Sequence, residues 1–110
     1  MTQQELVVLL MSFPEAAQSS HFGTTDFRIR NKIFATLPQP DRLMVKLTTE
    51  QQQVLVEAAG EVFSRVPNKW GERGATYAQI SALDETTAHS AVRMAWANVA
   101  PKALLRSQLL

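Results

Sequence analysis

A chain of 110 residues, of which 45% are hydrophobic and 19% charged, has the composition of one folded globular domain rather than of a disordered segment. Eleven basic and ten acidic side chains leave a net charge of +1, so any attraction to nucleic acid must come from local clustering of cations. The absence of cysteine excludes disulfides, thiolate metal sites and thiol chemistry.

Membrane insertion is not predicted. The longest apolar run, Leu6 to Met11, is too short to span a bilayer, and no basic segment precedes it as a signal peptide requires. We therefore expect a cytoplasmic protein in which residues 1–110 form a single domain. The leucine-rich tail, 102–110, either frays or forms a short packed helix.

The chain begins with a helix signal. Thr2 and Glu5 have the spacing of a capping box, which predicts a first helix from about Gln3 to Ser12 that stops before Pro14. Segment 14–20 lacks a clear periodicity and is predicted to be a connector.

Alternation of apolar and polar side chains then predicts three antiparallel strands in a meander. The first is Phe27–Arg30, and a turn at Asn31–Lys32 leads to the second at Ile33–Leu37. Pro38 and Pro40 end the second strand. The third is Arg42–Leu47, whose side chains alternate again. Such a meander has one packed face and one wet face.

Two further helices are indicated. Thr48 or Thr49 caps the second, with Val54, Leu55 and Ala58 as its predicted buried face. Asp84 is the predicted N-cap of the last, in which Trp96 belongs to the core. Its apolar stripe has helical spacing throughout and consists of Ala88, Ala91, Val92, Ala95 and Val99. Strands in the middle of the chain with helices around them predict an α+β domain, a twisted antiparallel sheet with helices mainly on one face.

The stretch 66–80 combines glycines, cations and an aromatic ring. Gly71 and Gly74 predict a tight loop that presents Lys69, Trp70 and Arg73, followed by a strand. Flat aromatic and cationic groups together suit a nucleic-acid backbone with stackable bases. The alternative is a tryptophan that fills the edge of the core beside a solvated basic turn.

Signatures of catalysis or metal binding are scarce. His21 and His89 stand alone, without the spacing of a metal site, and the serines beside His21 do not by themselves make a nucleophile–base pair. We therefore predict a protein that is not an enzyme, with no catalytic residues, no metal and no cofactor. His21 is either a hydrogen-bonded structural histidine or the residue of a ligand site.

The distribution of cations is the remaining functional signal. If Arg28 with Arg30, and Arg42 with Lys46, share the wet face of the meander, a basic surface results. The alternative is an ordinary polar face whose cations are neutralised by neighbouring carboxylates. The predicted nucleic-acid contacts combine this surface with its edges and comprise Arg28, Arg30, Lys32, Lys46, Lys69, Trp70 and Arg73.

Ordered motifs extend over nearly the whole chain, and together they resemble the MmcQ/YjbR family of small bacterial proteins. These motifs are His21–Gly23, Phe27–Ala35, Leu43–Leu47, Val66–Tyr77, Ala95–Trp96 and Val99–Lys102. The resemblance implies a "double-wing" α+β fold and DNA binding, and it brings no enzymatic activity or cofactor. Its first wing corresponds to Phe27–Leu37 and its second to Trp70–Ile80. A glycine often found in the first hairpin of this family is Asn31 here, and asparagine tolerates the left-handed conformation.

Two functions from different classes follow. The first is a DNA-binding module that contacts phosphates through a basic sheet face and two wings. The second is a module for protein interaction or self-association, which uses the Trp70 loop and the leucine-rich C-terminal tail. DNA is the predicted partner of the first, and a protein partner or a second copy of the chain is that of the second.

Overall fold

The computed structural model describes residues 1–108; the predicted tail residues Leu109 and Leu110 lie outside this range. Within it, helices occur at both ends and strands dominate the middle. The elements are α1 (Gln3–Met11), β1 (Ala17–His21), β2 (Thr24–Ile29), β3 (Lys32–Gln39), β4 (Arg42–Lys46), α2 (Thr49–Ala58), β5 (Phe63–Arg65), α3 (Lys69–Glu72), β6 (Ala75–Gln79), a 3-10 turn (Ile80–Ala82), α4 (Glu85–Val99) and α5 (Lys102–Gln108).

The strands form one antiparallel sheet in the order β1-β2-β3-β4-β6-β5. Helix α4 packs across β3 and β4, and α1 packs against α4, so that both cover the same face of the sheet. The predicted α+β fold, with helices mainly on one face, is confirmed. We call the opposite face the open face; a row of side chains crosses it from β2 to β6 and comprises Asp26, Thr36, Met44 and Tyr77.

The core lies between α4 and the covered face. Phe27, Ile29, Leu43 and Val45 are fully buried there at alternate strand positions. The small side chains of the predicted α4 stripe are buried as well, from Ala88 to Ala95, which lets this helix approach the sheet closely.

Trp96 joins α4 to the segment before β1. Its ring is 1% exposed, and its Nε1 donates a hydrogen bond to the carbonyl oxygen of Pro14 at 2.9 Å. Trp96→Phe should lower the free energy of unfolding by about 1 kcal/mol, because it leaves that oxygen without its donor. Urea denaturation measures this, with Trp70→Phe at an exposed position as the control; equal stabilities of the two variants would contradict it.

The predicted connector 14–20 is wrong, because Ala17–His21 form strand β1. Within residues 1–108 this strand pairs only with β2, and four of its five residues are exposed. An edge strand that packs on neither face carries no apolar alternation, which is the signal from which the other strands were predicted.

The first hairpin turn also differs from its prediction. Ile29 pairs with Lys32, and the two turn residues are Arg30 and Asn31, with φ of 48° and 68°. Left-handed φ at both positions is what a two-residue hairpin of type I′ requires. Arg30 therefore lies in the turn, and the expectation that it shares a strand face with Arg28 is wrong.

Strand β3 continues through Pro38 and ends at Gln39, directly before Pro40, so of the two prolines predicted to end it only Pro40 does so. The β3–β4 register shifts between Thr36 and Gln39. Proline is tolerated at such an irregularity, because no regular ladder hydrogen bond is required of its nitrogen.

Helix α2 is capped by Thr48, one of the two predicted residues, and Gln51 completes the capping box. Of its predicted buried face, Leu55 packs against the core, but Val54 and Ala58 are exposed. Gln52 is the buried residue, whereas Val54 is 60% exposed. The Gln52 side chain donates hydrogen bonds to the carbonyl oxygens of Gly71 and Ala75, both at 2.9 Å. The buried Gln52 side chain thus holds the segment that contains α3 in place through these two hydrogen bonds.

Candidate functional site

A cleft of about 750 Å³ crosses the open face of the sheet. Its floor includes Thr36, Met44 and Tyr77, one end is formed by His21, and the other end is bounded by α3. We call it the open-face cleft. No carboxylate is among the side chains that line it in the described part of the chain.

Helix α3 forms one rim of this cleft. The Asn68 side chain caps it by accepting a hydrogen bond from the backbone nitrogen of Trp70 at 2.9 Å. Trp70 is 61% exposed, and the Arg73 guanidinium lies 5.9 Å from the centre of its ring. The tight loop predicted between Gly71 and Gly74 is therefore mostly a short helix; Gly74 has the expected positive φ, of 115°, and Gly71 does not.

Two cations in the cleft are free of ion pairs. Lys46, at the end of β4, and Arg73 both line it, and neither forms a salt bridge within residues 1–108. With no carboxylate beside them, their charge is available to a ligand. The side chains that line the cleft therefore carry positive charge and no negative charge, although the whole chain is almost neutral.

Arg28, by contrast, is neutralised on the open face. Its Nε donates to Oδ1 of Asp26 at 2.7 Å and its Nη2 to Oδ2 at 2.9 Å. These bonds, more than those from His21, hold the pKa of the Asp26 carboxyl below its ordinary value, while burial opposes the change. Asp26 is fully buried, so this carboxylate cannot exchange Arg28 for another partner without being exposed to water.

The same carboxylate positions His21. Nδ1 of His21 lies 2.7 Å from Oδ2 of Asp26, and 39% of the His21 side chain remains exposed. This histidine is thus hydrogen-bonded by a buried group, as in the first alternative inferred from the sequence, and it also lines the cleft. With Nδ1 occupied, Nε2 is the ring nitrogen left for a ligand.

Arg30 is paired in a second place. Its Nε and Nη2 donate to the two carboxylate oxygens of Glu15 at 3.0 and 3.1 Å. This bidentate contact lowers the pKa of Glu15 and raises that of Arg30. Lys32, next to the turn, is exposed and is not among the residues that line the cleft.

The seven predicted contact residues therefore fall into separate groups. Lys46, Trp70 and Arg73 meet in the cleft, with Lys69 on the same short helix. Arg28 and Arg30 are held in ion pairs, and Lys32 lies apart. Polar residues outside these seven also line the cleft, among them His21, which the sequence offered as a possible ligand-site residue, and Thr36, Asn68, Tyr77 and Asn98, which it did not.

Only some of the contacts in this site could be predicted from the sequence. Asp26 and Arg28 are two residues apart on one strand face, which is the spacing of a same-face pair. His21 reaches them because β1 pairs with β2, and that strand was not predicted. Among residues 1–108, no three histidine or carboxylate side chains are placed to hold a metal ion.

Comparison with known proteins establishes the family. The family model named YjbR matches residues 11–98, most of the chain. The chain belongs to the YjbR family. This confirms the resemblance inferred from the ordered motifs.

A solved structure supports the YjbR fold. The chain is similar to the crystal structure of Deinococcus radiodurans protein DR2400, which has a DUF419 domain, with a TM-score of 0.74 and 17% sequence identity. The similarity covers 99% of this chain and 88% of that chain, and at this identity it shows the fold alone. None of the curated proteins matches the chain. Within the described residues, no helix has the length and apolar character needed to cross a membrane.

Proposed function

We propose that this YjbR-family protein is a non-enzymatic DNA-binding module whose contacts lie in the open-face cleft. The observation that carries the proposal is the meeting of Lys46, Arg73 and Trp70 in one recess without a lining carboxylate. A cytoplasmic location is part of the proposal, because that is where a bacterial chain meets DNA.

The contacts are centred on the second predicted wing. Lys46 and Arg73 provide the charge that attracts phosphates, and Lys69, the first residue of α3, adds to it. The first wing contributes less, since Arg28 and Arg30 would have to leave Asp26 and Glu15 to reach a phosphate. The number of phosphate contacts is thus smaller than the six cations among the seven predicted residues would supply.

The alternative, a module for protein interaction or self-association, has weaker support. Leu104 and Leu105 of α5 are half-buried and pack against the core, so these tail leucines are not free to bind a partner. Trp70 remains exposed, but Lys69 precedes it on α3 and Arg73 follows that helix, and such cations suit an anionic ligand better than an apolar one.

The double substitution Lys46→Ala and Arg73→Ala tests the DNA-binding proposal. We expect the affinity for DNA at low salt to fall and the dependence of log K on log salt to become shallower, by roughly 0.7 to 0.9 for each lost phosphate contact. Fluorescence anisotropy of a labelled oligonucleotide over a salt series measures both quantities.

Arg93→Ala is the matched control, because Arg93 is exposed on α4, the helix on the opposite side of the sheet. It should leave the affinity and the salt slope unchanged. Absence of binding at low salt, or an equal loss in the control and the double variant, would overturn the proposed function.

A further inference from the structure

We infer that the open-face cleft takes an unpaired strand of nucleic acid in preference to a duplex. This inference rests on the proposed function and adds the form of nucleic acid that the site accepts. In the inferred complex, bases stack on aromatic rings of the cleft and phosphates contact its cations.

The first reason is that two cations without ion pairs, Lys46 and Arg73, lie in a recess. A duplex carries its phosphates on a convex surface and admits protein side chains to its bases through grooves, the major one about 12 Å wide. A protein reads such a groove with an element that protrudes into it. Here Lys46 and Arg73 line a concave site, whereas the cation at the tip of the β2–β3 hairpin, Arg30, is paired with Glu15.

The second reason is the combination of aromatic rings with these cations. Trp70 is 61% exposed at the rim, and Tyr77 lies on the floor with the Arg42 guanidinium 4.5 Å from its ring centre. Bases inside a duplex are already stacked on one another, so a protein ring can stack only on a base that is unpaired. An exposed ring such as that of Trp70, beside phosphate-binding cations, is therefore useful for a single strand and of little use for a duplex.

The third reason is the extent of the cleft. It reaches from His21 on β1 to Tyr77 on β6, which are four strand spacings apart, or roughly 19 Å at about 4.8 Å each. A site of this length suits several consecutive nucleotides rather than one. Its β1 end is formed by His21, which Asp26 holds with Nε2 left for a hydrogen bond to the strand.

The test compares a labelled oligothymidine of about ten nucleotides with a duplex of the same length at low salt. The wild-type protein should bind the single strand at least about tenfold more tightly. Trp70→Ala should weaken single-strand binding about tenfold, the loss of one base–aromatic stack, and leave duplex binding unchanged within about twofold.

Val54→Ala is the matched control, since Val54 is an apolar side chain, 60% exposed, on α2 and outside the cleft. It should change neither affinity. Equal or tighter binding of the duplex would overturn this inference and leave the DNA-binding proposal standing, whereas no binding of either form would overturn both. Competition by free thymidine monophosphate at the concentrations effective for the oligonucleotide would also overturn it, because the site would then take single nucleotides.

Discussion

Asp26→Asn is expected to lower the free energy of unfolding by about 3 kcal/mol at neutral pH. The Asp26 carboxylate is fully buried and accepts hydrogen bonds from both Arg28 and His21. An amide has no charge, and its nitrogen would place a donor against one of these donors. Removing one partner of a buried ion pair costs about 3–5 kcal/mol. We expect the lower limit of this range here, because 24% of the Arg28 side chain is exposed and water can solvate its charge.

The pH dependence of this effect has a definite sign. Because folding lowers the pKa of Asp26, the ionised carboxylate stabilises the protein above its unfolded pKa of about 3.9, and this contribution is lost as the pH falls through the folded value. Asparagine does not titrate. The stability of the wild type should therefore approach that of Asp26→Asn as the pH falls below about 4.

Urea denaturation of both proteins over a pH series measures the two effects together. Glu61→Gln is the control, because Glu61 is exposed and forms no ion pair within the described residues; it should change stability by less than about 0.5 kcal/mol. If the stability gap between the wild type and Asp26→Asn stayed constant on acidification, the buried carboxylate would not be the titrating group that we infer.

Gly71→Ala should have a comparable effect, about 3 kcal/mol, and should also displace the rim of the open-face cleft. A Cβ at position 71 would lie 1.6 Å from the carbonyl oxygen of Val66, and this neighbour is backbone that cannot rotate away. The higher helix propensity of alanine would recover at most about 1 kcal/mol, so the steric clash dominates. Helix α3 must move, and with it Trp70 and Arg73.

Gly23→Ala provides the matched control for this substitution. Gly23 has φ of 80°, but a Cβ there would meet nothing within 4 Å, so the cost is only the backbone strain of about 1 kcal/mol. Thermal unfolding and oligonucleotide binding of both variants should show a larger loss of stability, and a larger loss of affinity, for Gly71→Ala. Equal behaviour of the two variants would show that α3 tolerates the extra methyl group.

The parts of the fold that local chemistry determines could be predicted from the sequence. The α1 capping box of Thr2 and Glu5 and the N-cap of α4 at Asp84 occur where their spacing placed them. The alternation of β4 holds as well, with Leu43 and Val45 buried. These signals depend on neighbouring residues alone.

The parts that depend on distant contacts could not be predicted. Gln52 is buried because its amide meets the carbonyl oxygens of α3 and β6, whose positions the sequence of α2 does not contain. Arg30 is neutralised by Glu15, fifteen residues earlier in the chain. The cleft itself exists because α3 lies beside β6. Which cations line it without an ion pair could therefore be determined only from the tertiary structure.

The order of the strands in the sheet determines when the floor of the open-face cleft can form during folding. Strands β1 to β4 each pair with a neighbour in sequence, whereas β6 reaches β4 only after the intervening segment 47–74 has been brought round. Closing that long loop costs more entropy than closing a hairpin. The cleft floor crosses the junction of β4 and β6, between Met44 and Tyr77. A bound nucleic-acid strand would therefore contact both β4 and β6. Because it would bind only the folded protein, its binding energy would oppose the separation of these two strands and so the unfolding of the domain.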